Sequence, residues 1–304
     1  MRNIIFFLFA LLICSCKKEV QKEKTEIVPI VENETTTETS VIDDKEEKTI
    51  SKNDPSDYNH LLGTYVGSFQ ASKFSNTDVA PSYSNKINIS IDKIDLDSIY
   101  GHSVVAGNKR PFKGNLDKTS LFARVLEPGD DKYDGVFEIN FLPGQKEIKG
   151  IWIANNKNLS VVERKYTLIK KKYKYNAELN LDYDIEYDYN LALYKSQEEE
   201  NGELEAISPQ IVGKLNASTQ ELNNTNIENL NKGELEVLRN LIYARHGYSF
   251  KNRKMRYFFD SYVDWYIPVS TDIRNQLTDL EKKNIDLIKR YEQHAERYYD
   301  YFGR

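Results

Sequence analysis

Between residues 62 and 170, apolar side chains return at every second position in short runs, each stopped by a polar or glycine-bearing turn. Leu62-Gly63-Thr64-Tyr65-Val66-Gly67-Ser68-Phe69 alternates in this way, with glycines where a strand bends or packs closely. Ile87, Ile89 and Ile91 carry the next run; residues 99–106 and 111–114 continue it, and 121–126 leads to Pro128-Gly129-Asp130-Asp131. Phe137, Ile139 and Phe141 alternate ahead of Pro143-Gly144-Gln145, then 148–153 precedes Asn155-Asn156-Lys157-Asn158 and 164–170 closes the series. A period of two sends one face into a core, and tight turns join antiparallel neighbours. Seven or eight such strands leave unpaired edges unless the sheet closes on itself. The expectation for 58–176 is therefore an antiparallel β-barrel-like domain. A barrel this small either fills itself with side chains or holds a small apolar ligand.

The opening Gly63-x-Tyr65 resembles the Gly-x-Trp start of lipocalin-like barrels, with tyrosine in place of their tryptophan. The resemblance implies a lipocalin-like meander.

The chain begins with Arg2, an apolar stretch at 4–13 and Cys14-Ser15-Cys16. A membrane-spanning helix needs about 20 apolar residues, so this stretch has the length of a signal peptide instead. Its end resembles a bacterial lipobox, with small Ser15 before the cut and Cys16 as the lipid acceptor; Ile13 before Cys14 suits that role less well. This implies a lipoprotein signal peptide at 1–15, palmitate and diacylglycerol on Cys16, and a mature chain with no free thiol and no disulfide. Residues 16–57 are charged, Thr-rich and nearly free of aromatics, and cannot bury enough surface to offset ordering entropy. They read as a disordered tether that gives the folded part reach.

Residues 177–210 read as a connecting hairpin and linker. Asp182, Asp184, Glu186 and Asp188 alternate with Leu181, Tyr183, Ile185, Tyr187 and Tyr189, which puts the carboxylates on the solvated face of an edge strand. Asn201-Gly202 reads as a hairpin turn, and Ser208-Pro209 as a boundary.

From 211 to 304 the pattern becomes helical. Ser218 to Glu221 offers a cap for a short helix, and Asn231 with Glu234 forms a capping box. Leu235, Leu238 and Ile242 follow at helical spacing, and Gly247 stands where a left-handed residue would end the helix. A second helix is expected over 253–260, and Thr278-x-x-Glu281 caps the last one. The helix stop is spelled Tyr243-Ala244-Arg245-His246-Gly247. It is followed by Phe250, Tyr257-Phe258-Phe259 and Trp265-Tyr266-Ile267-Pro268. This run resembles the YARHG domain of bacterial extracytoplasmic proteins, and the resemblance implies an address, not an activity. The overall expectation is α+β: an antiparallel β-barrel-like domain, then a small α-rich YARHG domain, on an N-terminal tether.

Catalytic signatures are sparse. His60, His102, His246 and His294 form no metal-binding pair, and no cysteine would remain to help, so no metal or cofactor is expected. No P-loop, dinucleotide fingerprint or Gly-x-Ser-x-Gly elbow occurs. One acid–base arrangement suggests itself, His246 near Asp260 or Asp264 with Arg245 holding an anion, as in a hydrolase. Against it, Arg245 and His246 can donate to helix-end carbonyls or to those same carboxylates and serve packing alone. No catalytic residue is assigned, and the five motif residues are read as structural. A formal charge of −5 with only short basic clusters at 170–174 and 251–256 argues against nucleic acid. The expected protein is a lipid-anchored outer-membrane protein, periplasmic or surface-exposed. It would bind an envelope protein or glycan through aromatics such as Trp265, Tyr266, Tyr298 and Tyr299. The other readings are a barrel-borne carrier of an apolar ligand and the His246 hydrolase.

Overall fold

The computed structural model describes residues 55–76, 84–192 and 204–298. The expected signal sequence, Cys16, nearly all of the expected tether and Tyr299 lie outside these residues.

A 3-10 turn, Pro55–Leu61, leads into eight strands: β1 (Gly63–Phe74), β2 (Asn85–Asp95), β3 (Ser98–Val105), β4 (Asn108–Asp117), β5 (Phe122–Leu126), β6 (Gly135–Phe141), β7 (Glu147–Ala154) and β8 (Val161–Lys170). Each pairs antiparallel with the next, and β8 pairs back on β1, so the barrel is closed and has no open edge. The alternation seen in the sequence becomes inside against outside. Tyr65, Phe69, Ile87, Ile89, Ile91, Phe137, Ile139 and Leu168 all point into one core.

Rings occupy the bore. Phe69 lies 5.9 Å from Trp152, 6.3 Å from Phe137 and 6.4 Å from Tyr166 between centroids, and Phe112 is 6.0 Å from Phe137. Gly135 leaves the space that the indole takes, since a Cβ there would meet Trp152 Nε1 at 2.5 Å. The indole N–H is satisfied by buried Glu127 (3.1 Å), which also accepts the Gly135 N–H (2.8 Å) and the Ser103 hydroxyl (3.1 Å). Burial raises the Glu127 pKa, and these donors oppose the rise.

The second body is built on strands β9 (Tyr189–Ala192) and β10 (Leu204–Ile207). It adds helices α1 (Pro209–Val212), α2 (Asn224–Ile227), α3 (Lys232–Arg245), α4 (Arg253–Tyr262) and α5 (Asp279–Tyr298). β9 and β10 pair antiparallel, while the turn between them, with Asn201-Gly202, is outside the described residues. The acidic–aromatic stretch before β9 is irregular rather than a strand. Leu181, Tyr189, Leu191 and Ile207 sit in the same core as Leu238, Phe258 and Ile288, so 177–210 supplies core and not only connection. Residues 217–219 form a turn; the short helix begins later, at α2, capped by Asn223.

The second body covers the outward face of β1–β3. Val66 and Val104 point out of the bore yet are 3% and 0% exposed. Asn88 Nδ2 donates to Pro268 O (2.9 Å), the Lys86 N–H to Asp260 Oδ2 (2.8 Å), Lys86 Nζ to Val263 O (2.9 Å) and the Gly107 N–H to Ser249 Oγ (2.9 Å).

Candidate functional site

Helix α3 starts where its cap requires. Asn231 Oδ1 accepts the Glu234 N–H (2.7 Å) and Glu234 Oε2 accepts the Asn231 N–H (3.0 Å). It ends in a Schellman arrangement: the Tyr248 N–H reaches Tyr243 O (3.0 Å) and the Gly247 N–H reaches Ala244 O (2.9 Å). Gly247 takes φ +67, and a Cβ there would overlap Val269 Cγ2. The five-residue signature is thus the last turn of a helix and its stop.

The two charged letters of the signature leave this turn in fixed directions. Arg245 is 1% exposed. Its Nε donates to Leu179 O (2.5 Å), Nη1 to Ser218 Oγ (3.2 Å) and Nη2 to Asn180 Oδ1 (3.2 Å). Burial among neutral acceptors lowers the guanidinium pKa to about 10, with the Glu281 charge opposing the shift. His246 is 3% exposed and its Nε2 stands 2.8 Å from Glu281 Oε2. Tyr175 stacks on the imidazole at 4.3 Å and donates its hydroxyl to Glu281 Oε1 (3.1 Å). Glu281 also completes the α5 capping box, accepting the Thr278 N–H (2.9 Å). Burial pushes the Glu281 pKa up, but hydrogen bonds from His246, Thr278 and Ser218 outweigh it and hold the carboxyl at about 2.

The acid–base partners suggested by sequence are therefore replaced. His246 pairs with Glu281, whereas Asp260 faces the barrel at the Lys86 N–H. Of the residues that hold Arg245, Leu179 and Asn180 are not singled out by the sequence, and Ser218 is read there only as a helix cap. Asn180 joins Arg245 to Gly213 O (2.7 Å) and Leu215 O (3.1 Å), and its own carbonyl accepts the Trp265 indole N–H (2.7 Å). Nothing periodic marks an irregular segment such as 177–180.

Of the four aromatics expected to form one surface, the three that are described stand in different settings. Tyr266 is 2% exposed, with its hydroxyl on Tyr248 O (2.8 Å), so it belongs to the core. Trp265 is half-buried and committed to Asn180. Tyr298 is exposed at the far end of the 20-residue α5, about 30 Å from that helix's start. Tyr299 lies outside the described residues.

Open grooves on the described residues include one of about 470 Å³, lined by Tyr173, Tyr175, Arg245 and Trp265, and two larger ones. One, of about 580 Å³, runs beside the motif helix and is lined by Tyr243, Tyr248, Met255, Leu277, Arg239 and Arg274. Arg239 is held on its wall by a bidentate pair with Glu292 (2.6 and 3.0 Å). The other, of about 1000 Å³, lies at the barrel rim where β1, β2 and β8 meet the second body. Among the described residues, no group of three or more His, Cys, Asp or Glu could hold a metal ion.

Residues 210–293 match the YARHG domain family. No curated protein matches the chain.

Proposed function

We propose that this YARHG domain-containing protein is a non-catalytic binding module of the cell envelope. A closed barrel and a YARHG domain suit an extracytoplasmic interaction module. In the finer reading, a diacylglycerol on Cys16 anchors the chain in the bacterial outer membrane. Residues 17–57 then give it reach, and the folded part faces the periplasm or the surface. The observation that carries the proposal is the burial of Arg245 and His246, the motif's chemistry-bearing pair, with each guanidinium nitrogen and the imidazole Nε2 at hydrogen-bond distance from a protein oxygen. An imidazole occupied by Glu281 and shielded by Tyr175 is a poor general base for an outside substrate. Rings packed across the bore likewise speak against a ligand carried there. The aromatic groove beside α3 is then the surface for an envelope protein or glycan, because half-buried Tyr243 and Tyr248 line it together with charged side chains.

The test is a photo-crosslinking residue placed at Tyr248 or Arg274 in growing cells. One defined adduct from these positions, and none from Lys113 on the barrel, is the expected result. Equal yields from all three positions would remove the groove as the contact surface.

A further inference from the structure

The rim groove has a charge character unlike the whole chain. Overall the formal charge is −5, yet Lys146, Lys170, Lys171 and Lys172 line this groove together with two carboxylates. Both carboxylates are engaged: Asp92 Oδ2 lies 2.7 Å from His102 Nδ1, and Glu147 pairs with Lys149 at 2.9 Å.

Backbone pairing, not chance, gathers the lysines. The Lys170 N–H donates to Lys146 O (2.6 Å), and the Lys171 N–H to Thr64 O (2.9 Å). Lys170 Nζ is held in place by His60 O (2.7 Å) and lies over the Tyr65 ring. Gly63 makes room for its stem, since a Cβ there would meet Lys170 Cε at 2.9 Å. Burial lowers the Lys170 pKa, and the neighbouring Lys146 charge adds to the effect. The backbone thus gathers like charges on one wall of the groove.

The polar side chains of the floor speak for binding over cleavage. Ser90 and His102 are register partners, and Asp92 sits at a bulge on the same strand as Ser90, a grouping of residue types that serves nucleophilic catalysis elsewhere. The Ser90 hydroxyl, however, donates to Asn88 Oδ1 (3.0 Å), and Asn88 in turn donates to Pro268 O (2.9 Å). With its one proton spent, Ser90 can only accept from Thr64 (3.0 Å). That chain ties the barrel to the second body and leaves no serine directed at the imidazole.

We propose that the rim groove binds a phosphate group, gripped by Lys146, Lys170 and Lys171. Several ammonium donors around one floor suit an oxyanion with more than one charge and several acceptor oxygens. The phosphate belongs either to a soluble phosphate ester or to a lipid headgroup, and both present the same chemistry to the lysines.

The test uses the full chain with two probes: inorganic phosphate by calorimetry, and phosphatidylglycerol against phosphatidylcholine vesicles by co-sedimentation. Lys146→Gln and Lys170→Gln are each expected to weaken binding about tenfold, as for one charge-assisted hydrogen bond. Lys113→Gln, outside the groove, leaves binding unchanged. Lys146 is exposed, so its variant keeps the fold even if Lys170→Gln lowers the melting temperature. A response to inorganic phosphate assigns a soluble ester. A preference for phosphatidylglycerol vesicles that the same substitutions abolish, without a response to phosphate, assigns a headgroup. Binding to neither probe, or binding indifferent to both lysine substitutions, overturns the proposal. Crosslinking from Tyr248 would be untouched by that failure, because it reads a different groove.

Discussion

Glu281 Oε2 stands 2.8 Å from His246 Nε2, joining the C-terminal end of one helix to the N-terminal end of another. The dipole of α5 favours the carboxylate at its start. His246→Ala removes one partner of a buried pair and should cost about 3 kcal/mol in denaturant unfolding. That figure is at the low end for such a loss, because Glu281 keeps Thr278 and Tyr175. His246→Gln, which retains a donor, should recover part of the loss. An unchanged stability in His246→Ala would end the structural account of the motif.

The same pair sets an acid limb. Glu281 has its pKa lowered from 4.5 to about 2, so the native state holds this proton more weakly than the unfolded chain does. Its contribution is therefore complete above pH 4.5 and fades as the pH falls toward 2. Unfolding free energy measured across that window should drop in the wild type. The drop should be shallower in Glu281→Gln.

Two glycines separate backbone strain from crowding. Gly247 (φ +67) and Gly144 (φ +70) share a conformation, but a Cβ meets Val269 and Tyr173 at the first and nothing within 4 Å at the second. Alanine at Gly144 should cost about 1 kcal/mol for the left-handed conformation alone. Alanine at Gly247 should cost clearly more, and the difference measures the crowding. Equal losses in thermal melts would mean that the loop after the motif yields freely.

Much of this arrangement is legible in the sequence because local rules produce it. The period-two runs gave the strands, the edge argument gave closure, and Asn231/Glu234 and Thr278/Glu281 mark helix starts that the structure keeps. The partners of Arg245 are different in kind. Leu179 O and Asn180 Oδ1 come from irregular backbone 66 and 65 residues away, where neither periodicity nor propensity leaves a trace. Val66 and Val104 did carry a signal: apolar residues on the outward face of a barrel strand announce that something covers them. Trp265 and Tyr266 mislead because a tyrosine-rich run has the same composition whether it builds a core or a surface.

The proposed anchor is tested on Cys16. Palmitate labelling of the full chain should vanish in Cys16→Ala and persist in Cys14→Ala, because Ser15 suits the residue before the cut and Ile13 does not. The reverse pattern would move the acceptor to Cys14.

Asp260 supplies a limb of opposite sign, because it is enclosed where the second body meets β2. Burial there raises its pKa from 3.8 to about 7, while the Lys86 N–H and ammonium pull the other way. The folded state therefore binds this proton more tightly than the unfolded chain. The contribution is full below pH 3.8 and is lost as the pH rises through 7. Asp260→Asn removes the charge but keeps an oxygen for the Lys86 N–H, so it should flatten the decline and stabilise the chain above neutral pH. Asp260→Ala removes that acceptor and should destabilise at every pH by about 1–3 kcal/mol, the cost of a lost buried hydrogen bond. Unfolding curves taken from pH 4 to 8 on the three chains distinguish these outcomes. A decline of equal slope in wild type and Asp260→Asn would show that another group titrates at this contact.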